Sequence, residues 1–435
     1  MKTIVALSTP MGRSAIAVVR MSGDESIAIA SQIFSPMPQN ANTLRVGSLV
    51  CHHFVEKAMC VFFRAPHSYT GEDMVEFHCH GGTAICAEVI DQCIKHGARM
   101  AQNGEFSKRA FLNGKQNLTN AEGIIEMIDA ETASAVKAGS NLLDNKLGKM
   151  TTQLQDELTD VISQTEVALD YPEEDLELPT AADLSRKLKD VSAKLGKLLA
   201  TVETGKIVKY GINVAIIGKP NVGKSSLLNA MLNSDRAIVS DIAGTTRDTL
   251  RESLNYKDTR FNFVDTAGLR KSDDPIEAEG VRRAEKAVTE ADVVLFVVDE
   301  TSADQSFDKE GVRVIKVFNK CDEGYVRAKD LSQNEIDVSA KSGHNVEKLK
   351  EKIYDMFRVG DVCGSDVVLT NARHVECLDR AKKAVDETVT LTCGATLDCV
   401  ATTLKEAWEA LGEITGTTAN EEIIDRIYSK FCLGK

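Results

Sequence analysis

The chain has 435 residues, 43% of them apolar and 27% charged, with 52 Lys+Arg against 65 Asp+Glu and a formal net charge of −13. That length exceeds what one core supports, so two or three domains are expected, and the apolar fraction suffices for packed interiors. The acidic balance excludes a general nucleic-acid coat, which needs a local excess of Lys and Arg, and no apolar run approaches the ~20 residues of a membrane span.

Charge is uneven along the chain. Residues 1–118 hold 11 Lys+Arg and 9 Asp+Glu, residues 211–358 hold 23 and 26, and the remainder holds 18 and 30. Any contact with RNA is therefore expected to be a small patch or one shared with a partner. Met1-Lys2-Thr3-Ile4-Val5-Ala6-Leu7 begins like an export signal, but its apolar run ends at Ser8-Thr9-Pro10, with Arg13 close behind. The chain is expected to stay in the cytoplasm. Its 11 scattered cysteines contain no Cys-x-x-Cys pair, which fits reduced thiols rather than a disulfide frame.

Residues 1–118 mix short apolar strands with turns and read as a compact α+β unit. Residues 16–19 and 61–63 are predicted strands, and 84–94 a helix following the turn Gly81-Gly82. Three stretches stand out: residues 8–12 ahead of Arg20, residues 68–82, and residues 103–115. His78 and His80 share one face of a strand, with Cys79 between them, and invite a metal reading. Zinc wants three or four ligands, and no further ligand pair stands nearby, so a structural role is preferred.

From residue 121 the pattern turns helical. Leu143, Leu147, Met150, Leu154, Leu158 and Val161 recur at spacings of three and four, predicting one long amphipathic helix. A second follows the acidic turn 172–179, with Leu184, Leu188, Val191, Leu195, Leu198 and Val202 on one face. After residue 370 the pattern returns in Val375, Leu378 and Val385, then Leu397, Val400, Leu404, Trp408 and Leu411, then Ile423, Ile424, Ile427 and Phe431. These stripes read as the core of a helical bundle split by an insertion.

The insertion carries the chemistry. The apolar run Ile212–Ile217 leads into Gly218-Lys219-Pro220-Asn221-Val222-Gly223-Lys224-Ser225, and Leu227 and Leu228 open a helix. Strand, glycine loop and helix in that order form a phosphate loop: backbone N–H groups point inward, Lys224 supplies charge for the outer phosphates, and the Ser225 hydroxyl can hold Mg²⁺. A strand at 260–264 then delivers Asp265-Thr266-Ala267-Gly268, where the acid can reach Mg²⁺ through water and the glycine N–H can sense a γ-phosphate. After the buried strand 293–298, a third at 314–318 delivers Asn319-Lys320-Cys321-Asp322. A carboxylate there accepts both edge N–H groups of guanine, which adenine cannot satisfy. The strand 336–338 leads into Ser339-Ala340-Lys341, whose N–H groups can reach the guanine oxygen. Between phosphate loop and acid lies the candidate switch Ser240-Asp241-Ile242-Ala243-Gly244-Thr245-Thr246-Arg247-Asp248, with Thr246 placed to complete the Mg²⁺ shell. Leu269 follows Gly268 where a signalling GTPase keeps a water-orienting glutamine, so water must be positioned by another group.

Several bacterial GTPases share these motifs. Their insertion in a helical bundle, preceded by residues 68–82 and 103–115 and followed by Phe431-Cys432-Leu433-Gly434-Lys435, resembles the MnmE (TrmE) family of tRNA uridine-modification GTPases along the whole chain. The resemblance implies a multidomain α+β and α/β protein. Its parts are an N-terminal folate-binding and dimerisation domain at 1–118, a helical domain at 119–210 and 359–435, and a Ras-like P-loop G domain at 211–358.

By the same resemblance, GTP contacts fall on Asn221, Val222, Gly223, Lys224, Ser225 and Ser226, on Ser240, Asp241, Ile242, Ala243, Gly244, Thr245 and Thr246, on Asp265, Thr266, Ala267 and Gly268, on Asn319, Lys320, Cys321 and Asp322, and on Ser339, Ala340 and Lys341. Mg²⁺ falls on Ser225 and Thr246, and K⁺ on Asn221, Ser240, Ile242 and Thr245. Glu277 matches the water-orienting catalytic acid. Arg20, Glu76, Lys115 and Lys435 match contacts to a one-carbon tetrahydrofolate, and Cys432 is a candidate for the modification chemistry. The implied assembly is a homodimer that joins the FAD-binding protein MnmG in a heterotetramer. Together they attach an aminomethyl or carboxymethylaminomethyl group to carbon 5 of the wobble uridine of certain tRNAs, with K⁺-dependent pairing of G domains driving hydrolysis. Two departures stand out: the stretch from Asp322 to Ser339 is short for the family, and Ser240 stands where a threonine is common. The competing class is a GTPase that binds or assembles ribosomes without modification chemistry.

Overall fold

The alternation of apolar and polar residues in the N-terminal third builds one sheet. The computed structural model describes residues 2–170, 180–233, 252–264, 287–323, 332–357, 367–391 and 396–435. Its strands run β1 (Ile4–Leu7), β2 (Ser14–Ser22), β3 (Phe34–Ser35), β4 (Arg45–Val50), β5 (Val55–Phe63), β6 (Met74–Gly81) and β7 (Arg99–Met100). Among the described residues these form a seven-stranded sheet in the order β3-β4-β5-β6-β2-β1-β7, antiparallel except for the β1–β7 pair. The helices Ser26–Ile33 and Thr83–Lys95 set Ile29, Ile33, Val89 and Cys93 into a core with Val19, Met21, Val75 and Phe77. The strands predicted at 16–19 and 61–63 are the inner parts of β2 and β5, and the helix predicted at 84–94 is Thr83–Lys95.

The predicted long helix starting at Leu143 is interrupted. One helix ends at Leu143 and the next runs Lys146–Asp170, with Asn145 between them at φ +58°. Within Lys146–Asp170, Leu147, Leu154, Leu158 and Val161 are buried and Met150, at the edge of that face, is 40% exposed; Leu143, ahead of the break, is 39% exposed. The helix Lys146–Asp170 packs along Leu397–Thr415: Gln155 Nε2 donates to the Trp408 carbonyl at 3.0 Å, and Trp408 Nε1 donates to Thr159 Oγ1 at 3.0 Å. Glu421–Tyr428, capped by Asn420, sets Ile427 and Tyr428 against Leu118, Ala121 and Phe431. The acidic turn 172–179 lies outside the described residues.

A second sheet contains β8 (Ile212–Ile217), β9 (Glu252–Tyr256), β10 (Thr259–Val264), β11 (Val293–Val298), β12 (Arg313–Phe318) and β13 (Glu335–Asp337). The order is β13-β12-β11-β8-β10-β9, with only β9 antiparallel among the described strands. β11 is buried at every position, as a strand covered on both faces must be. β8 lies between β10, reached next through β9, and β11, reached later from the other side. Its carboxyl end is therefore a topological switch point, where open α/β sheets bind ligands.

The chain divides into two compact units. One comprises Met1–Ile125, Ser140–Ser192 and Cys377–Lys435, and the other Glu126–Gly139 and Ala193–Glu376, so the helical segments are shared between them. Among the described residues no helix is long and apolar enough to cross a membrane.

Candidate functional site

At the end of β8 the chain turns through residues 218–223 into the helix Lys224–Asn233. Gly223 has φ +95°, and a Cβ there would stand 2.1 Å from Asn319 Nδ2. Only glycine lets the loop approach the base-side strand this closely. Val222 is buried beneath the loop, Asn221 is exposed at φ +67°, and Ser226 is exposed on the helix. Lys224 Nζ donates to the Gly218 carbonyl at 2.8 Å and the Lys219 carbonyl at 2.7 Å, folding the side chain back over the loop. Burial lowers the pKa of this ammonium. A polyanion would restore what burial takes from it. Ser225 stands half-buried in the first turn, where a hydroxyl oxygen suits a hard cation such as Mg²⁺.

Asn319, 2% exposed, joins this loop to the base side. Its Nδ2 donates to the Val222 carbonyl at 2.8 Å, and its Oδ1 accepts the Ala340 N–H at 3.1 Å. Lys320, at φ +67°, pairs with Asp299 at 3.0 Å. Burial works against the Asp299 carboxylate, but bonds from Thr301, Lys320 and Ser302 hold it at about 2. Asp322 Oδ1 accepts the Ser339 hydroxyl at 2.6 Å. That bond, with the nearby Lys341 charge, holds the Asp322 carboxyl below its ordinary range, ready to accept. The Ser339 N–H donates to the His344 carbonyl at 3.1 Å, so two of the three N–H groups expected at a guanine oxygen, those of Ser339 and Ala340, have protein partners here. Cys321 is half-buried between these loops.

Ser240, Asp241, Ile242, Ala243, Gly244, Thr245 and Thr246 lie outside the described residues, as do Asp265, Thr266, Ala267, Gly268 and Glu277. The described part of the site is therefore the phosphate loop and the base side.

The N-terminal unit holds a second cluster. Arg20 and Glu76 face each other across β2 and β6 and pair at 2.8 Å. The Arg20 guanidinium lies 5.5 Å from the Tyr69 ring centroid and 5.8 Å from that of Phe106. Ser8 Oγ donates to the Gly434 carbonyl at 3.1 Å, and Arg20 reaches the same oxygen at 3.5 Å. Gly434 has φ +91°, and a Cβ there would meet the Leu7 carbonyl oxygen at 2.2 Å. Leu433 packs on Ile4, Ala6 and Phe106. Burial, then the Arg20 charge, lowers the Lys435 pKa. Arg20, Glu76 and Lys435 thus come together, whereas Lys115 donates to the Pro66 carbonyl at 3.0 Å in a neighbouring loop. Cys432 is exposed. Guanidinium, carboxylate and ammonium beside two aromatic faces suit a flat, polar-edged ring bearing an anionic tail. Sequence reasoning passed over Tyr69, Phe106 and Ser8, although all three lie in or beside the stretches that stood out.

His80 Nδ1 is hydrogen-bonded to Glu56 at 2.5 Å, whereas the buried His78 Nε2 stands 3.5 Å from Glu76 without a hydrogen bond. Cys79 points into the core, where burial pushes its thiol up to about 12.

Residues 118–432 match the family profile described as MnmE helical domain, and residues 3–115 match GTP-binding protein TrmE N-terminus. The chain is 39% identical over 456 residues to the tRNA modification GTPase MnmE of Lactiplantibacillus plantarum, covering 100% of this chain and 98% of that protein. It is 40% identical over 453 residues to that of Streptococcus agalactiae serotype III, with the same coverage of 100% and 98%.

Proposed function

The chain belongs to the MnmE family of tRNA modification GTPases, and on that premise we propose how its residues divide the work. It is a GTP-hydrolysing enzyme that serves tRNA modification. The region 211–358 is the G domain, 1–118 the folate-binding and dimerisation domain, and 119–210 with 359–435 the helical domain.

The observation that carries the nucleotide reading is the Asn319 bridge between phosphate loop and base loop, with Asp322 oriented beside it by Ser339. Lys224 exchanges the Gly218 and Lys219 carbonyls for phosphate oxygens. Asp322 accepts the guanine edge, and a base with a different edge leaves that acid without its donors. Ser225 and Thr246 hold Mg²⁺, which offsets phosphate charge. Asn221, Ser240, Ile242 and Thr245 hold K⁺, Glu277 orients water, and the remaining switch and acid-loop residues surround the γ-phosphate.

Arg20, Glu76, Lys115 and Lys435 hold a tetrahydrofolate derivative, with Cys432 exposed beside them. The partners are a second copy of the chain and the FAD-binding protein MnmG, and the product is a (carboxymethyl)aminomethyl group on the wobble uridine of certain tRNAs. The test pairs two measurements. The purified chain should release phosphate from GTP and not from ATP, and cells lacking it should lose the modified wobble uridine in mass spectra of digested tRNA. GTP hydrolysis with the uridine unchanged in the deletion strain would favour a ribosome-directed GTPase.

A further inference from the structure

Three donor side chains from separate segments converge beside the base loops: Cys321, in the turn Cys321–Glu323 that follows β12, Asp337 at the end of β13, and His344 just ahead of the helix Val346–Met356. Their ligand atoms all lie within 4.8 Å of one another. Tetrahedral zinc, with Zn–S near 2.3 Å and Zn–N or Zn–O near 2.0–2.1 Å, spaces its donors roughly 3.3 to 3.6 Å apart. Modest side-chain rotation therefore closes the set. We propose that Cys321, Asp337 and His344 bind one divalent cation of the zinc class, leaving the fourth position to water.

The ligand chemistry decides the metal. One sulfur, one imidazole and one carboxylate form a mixed, borderline-soft set. Mg²⁺ and Ca²⁺ prefer oxygen alone and gain nothing from Cys321 or His344. Between Asn319 and Asp322, whose side chains make the loop contacts, the Cys321 sulfur lies within 4.8 Å of the Asp337 and His344 ligand atoms. Cys321 is half-buried, and after burial itself the carboxylates of Asp337 and Asp322 oppose its ionisation, a negative setting that favours an incoming cation. Asp337 is oriented from behind: Asn345 Nδ2 donates to its carbonyl at 3.0 Å and to its Oδ1 at 3.4 Å. Such outer contacts fix metal ligands. The ring of His344 is exposed, while its carbonyl is held by Ser339, so the metal has an entry path from solvent and a fixed backbone behind one ligand.

The placement has a consequence. Cys321 adjoins Asp322, and His344 is hydrogen-bonded through its backbone to Ser339, the residue that orients Asp322. A bound cation clamps the two loops that recognise guanine, and nucleotide release slows. This consequence rests on the GTP reading, whereas metal binding itself does not.

The probe is Co²⁺ titrated into the full chain without nucleotide and displaced by Zn²⁺. Wild type should develop a thiolate-to-cobalt charge-transfer band that Zn²⁺ abolishes. Cys321→Ser should lose the band, and His344→Ala, a change at an exposed ring, should weaken Zn²⁺ binding at least about tenfold, since even outer-shell losses cost that much. Metal held at His52, His53 and Glu88, the other described trio, involves no sulfur and gives no such band. No thiolate band in wild type, or an equal band in both variants, would overturn the site. GDP release from wild type should slow several-fold with Zn²⁺ and be unaffected in His344→Ala; an unchanged rate in the metal-loaded wild type would overturn the clamp. Failure of GDP to bind at all would count against the nucleotide reading, with the cobalt band still judging the metal site.

Discussion

Asn319 Nδ2 donates to the Val222 carbonyl at 2.8 Å, and that bond ties the phosphate loop to the base-side strand. The second bond, from the Ala340 N–H at 3.1 Å, ties in the loop after β13. Asn319→Ala leaves a buried carbonyl and an N–H without partners, at about 1–3 kcal/mol each. Thermal unfolding should register a loss of roughly 2–6 kcal/mol in the G unit, and GTP affinity should fall with it. Wild-type stability in this variant would mean the bridge is decorative.

Base choice is tested at Asp322. Asp322→Asn removes a charged acceptor and should weaken GTP binding by roughly 1.5–3 kcal/mol while relaxing the preference for guanine. Ser339→Ala, which removes the 2.6 Å bond to Asp322, should act in the same direction by less. Unchanged affinity in both variants would place guanine recognition elsewhere.

Hydrolysis should depend on K⁺. Leu269 cannot orient water, and neither Arg247 nor Arg270 is assigned to the transferring phosphoryl group in its own site. An arginine finger is worth ~10³ to 10⁵ in rate, about 4–7 kcal/mol, so another positive charge must serve. Phosphate release should be many-fold faster in KCl than in NaCl at equal ionic strength and should fall in Asn221→Ala. Glu277→Ala should slow it while sparing K⁺-dependent association. Equal rates in the two salts would sink this mechanism.

The tail is tested by deleting residues 432–435, which removes the Gly434 carbonyl from Ser8 and Arg20 and the Leu433 side chain from its apolar seat. Wobble-uridine modification should be abolished and GTP hydrolysis nearly retained. Normal modification by the shortened protein would remove the tail from the chemistry.

Acid should destabilise the N-terminal unit through Glu105. Burial raises its pKa, but bonds from Arg99, the Gln102 backbone and Arg109 outweigh it and hold the carboxyl at about 2 against an ordinary 4.5. A depressed folded value means the contribution is complete above about pH 4.5 and is lost as pH falls toward 2, on the order of 3 kcal/mol in all. Denaturant unfolding followed across that window should show a slope that Glu105→Gln flattens. An identical slope in the variant would show that other carboxylates set the acid limit.

How much was legible in sequence followed from how strongly each segment is constrained. β8 and β11 are apolar runs bounded by turn residues, and both were read end to end. β3 and β7 have two residues each and carry no period, while β9, Glu-Ser-Leu-Asn-Tyr, is an edge strand whose apolar residues are too few to declare it. Leu143 misled because a spacing of three and four continues across a helix break, and only the backbone at Asn145 shows it; Met150 misled because it sits at the edge of the buried face of its own helix. At the nucleotide site the motifs named the residues, but not that Ala340 and Ser339 donate within the protein. That fact depends on Asn319 and His344 arriving from other segments.

The pairing of Lys146–Asp170 with Leu397–Thr415 bears on synthesis. At roughly 5–20 residues per second, the apolar stripe of Leu147, Leu154, Leu158 and Val161 waits on the order of 10 to 50 s on the ribosome before its partner helix emerges. During that interval the nascent chain presents a greasy helix face to the cell. Chaperone demand should therefore track the distance between the two halves of the pair rather than total length, and a slow codon cluster ahead of Leu397 should raise aggregation more than the same cluster placed after Thr415.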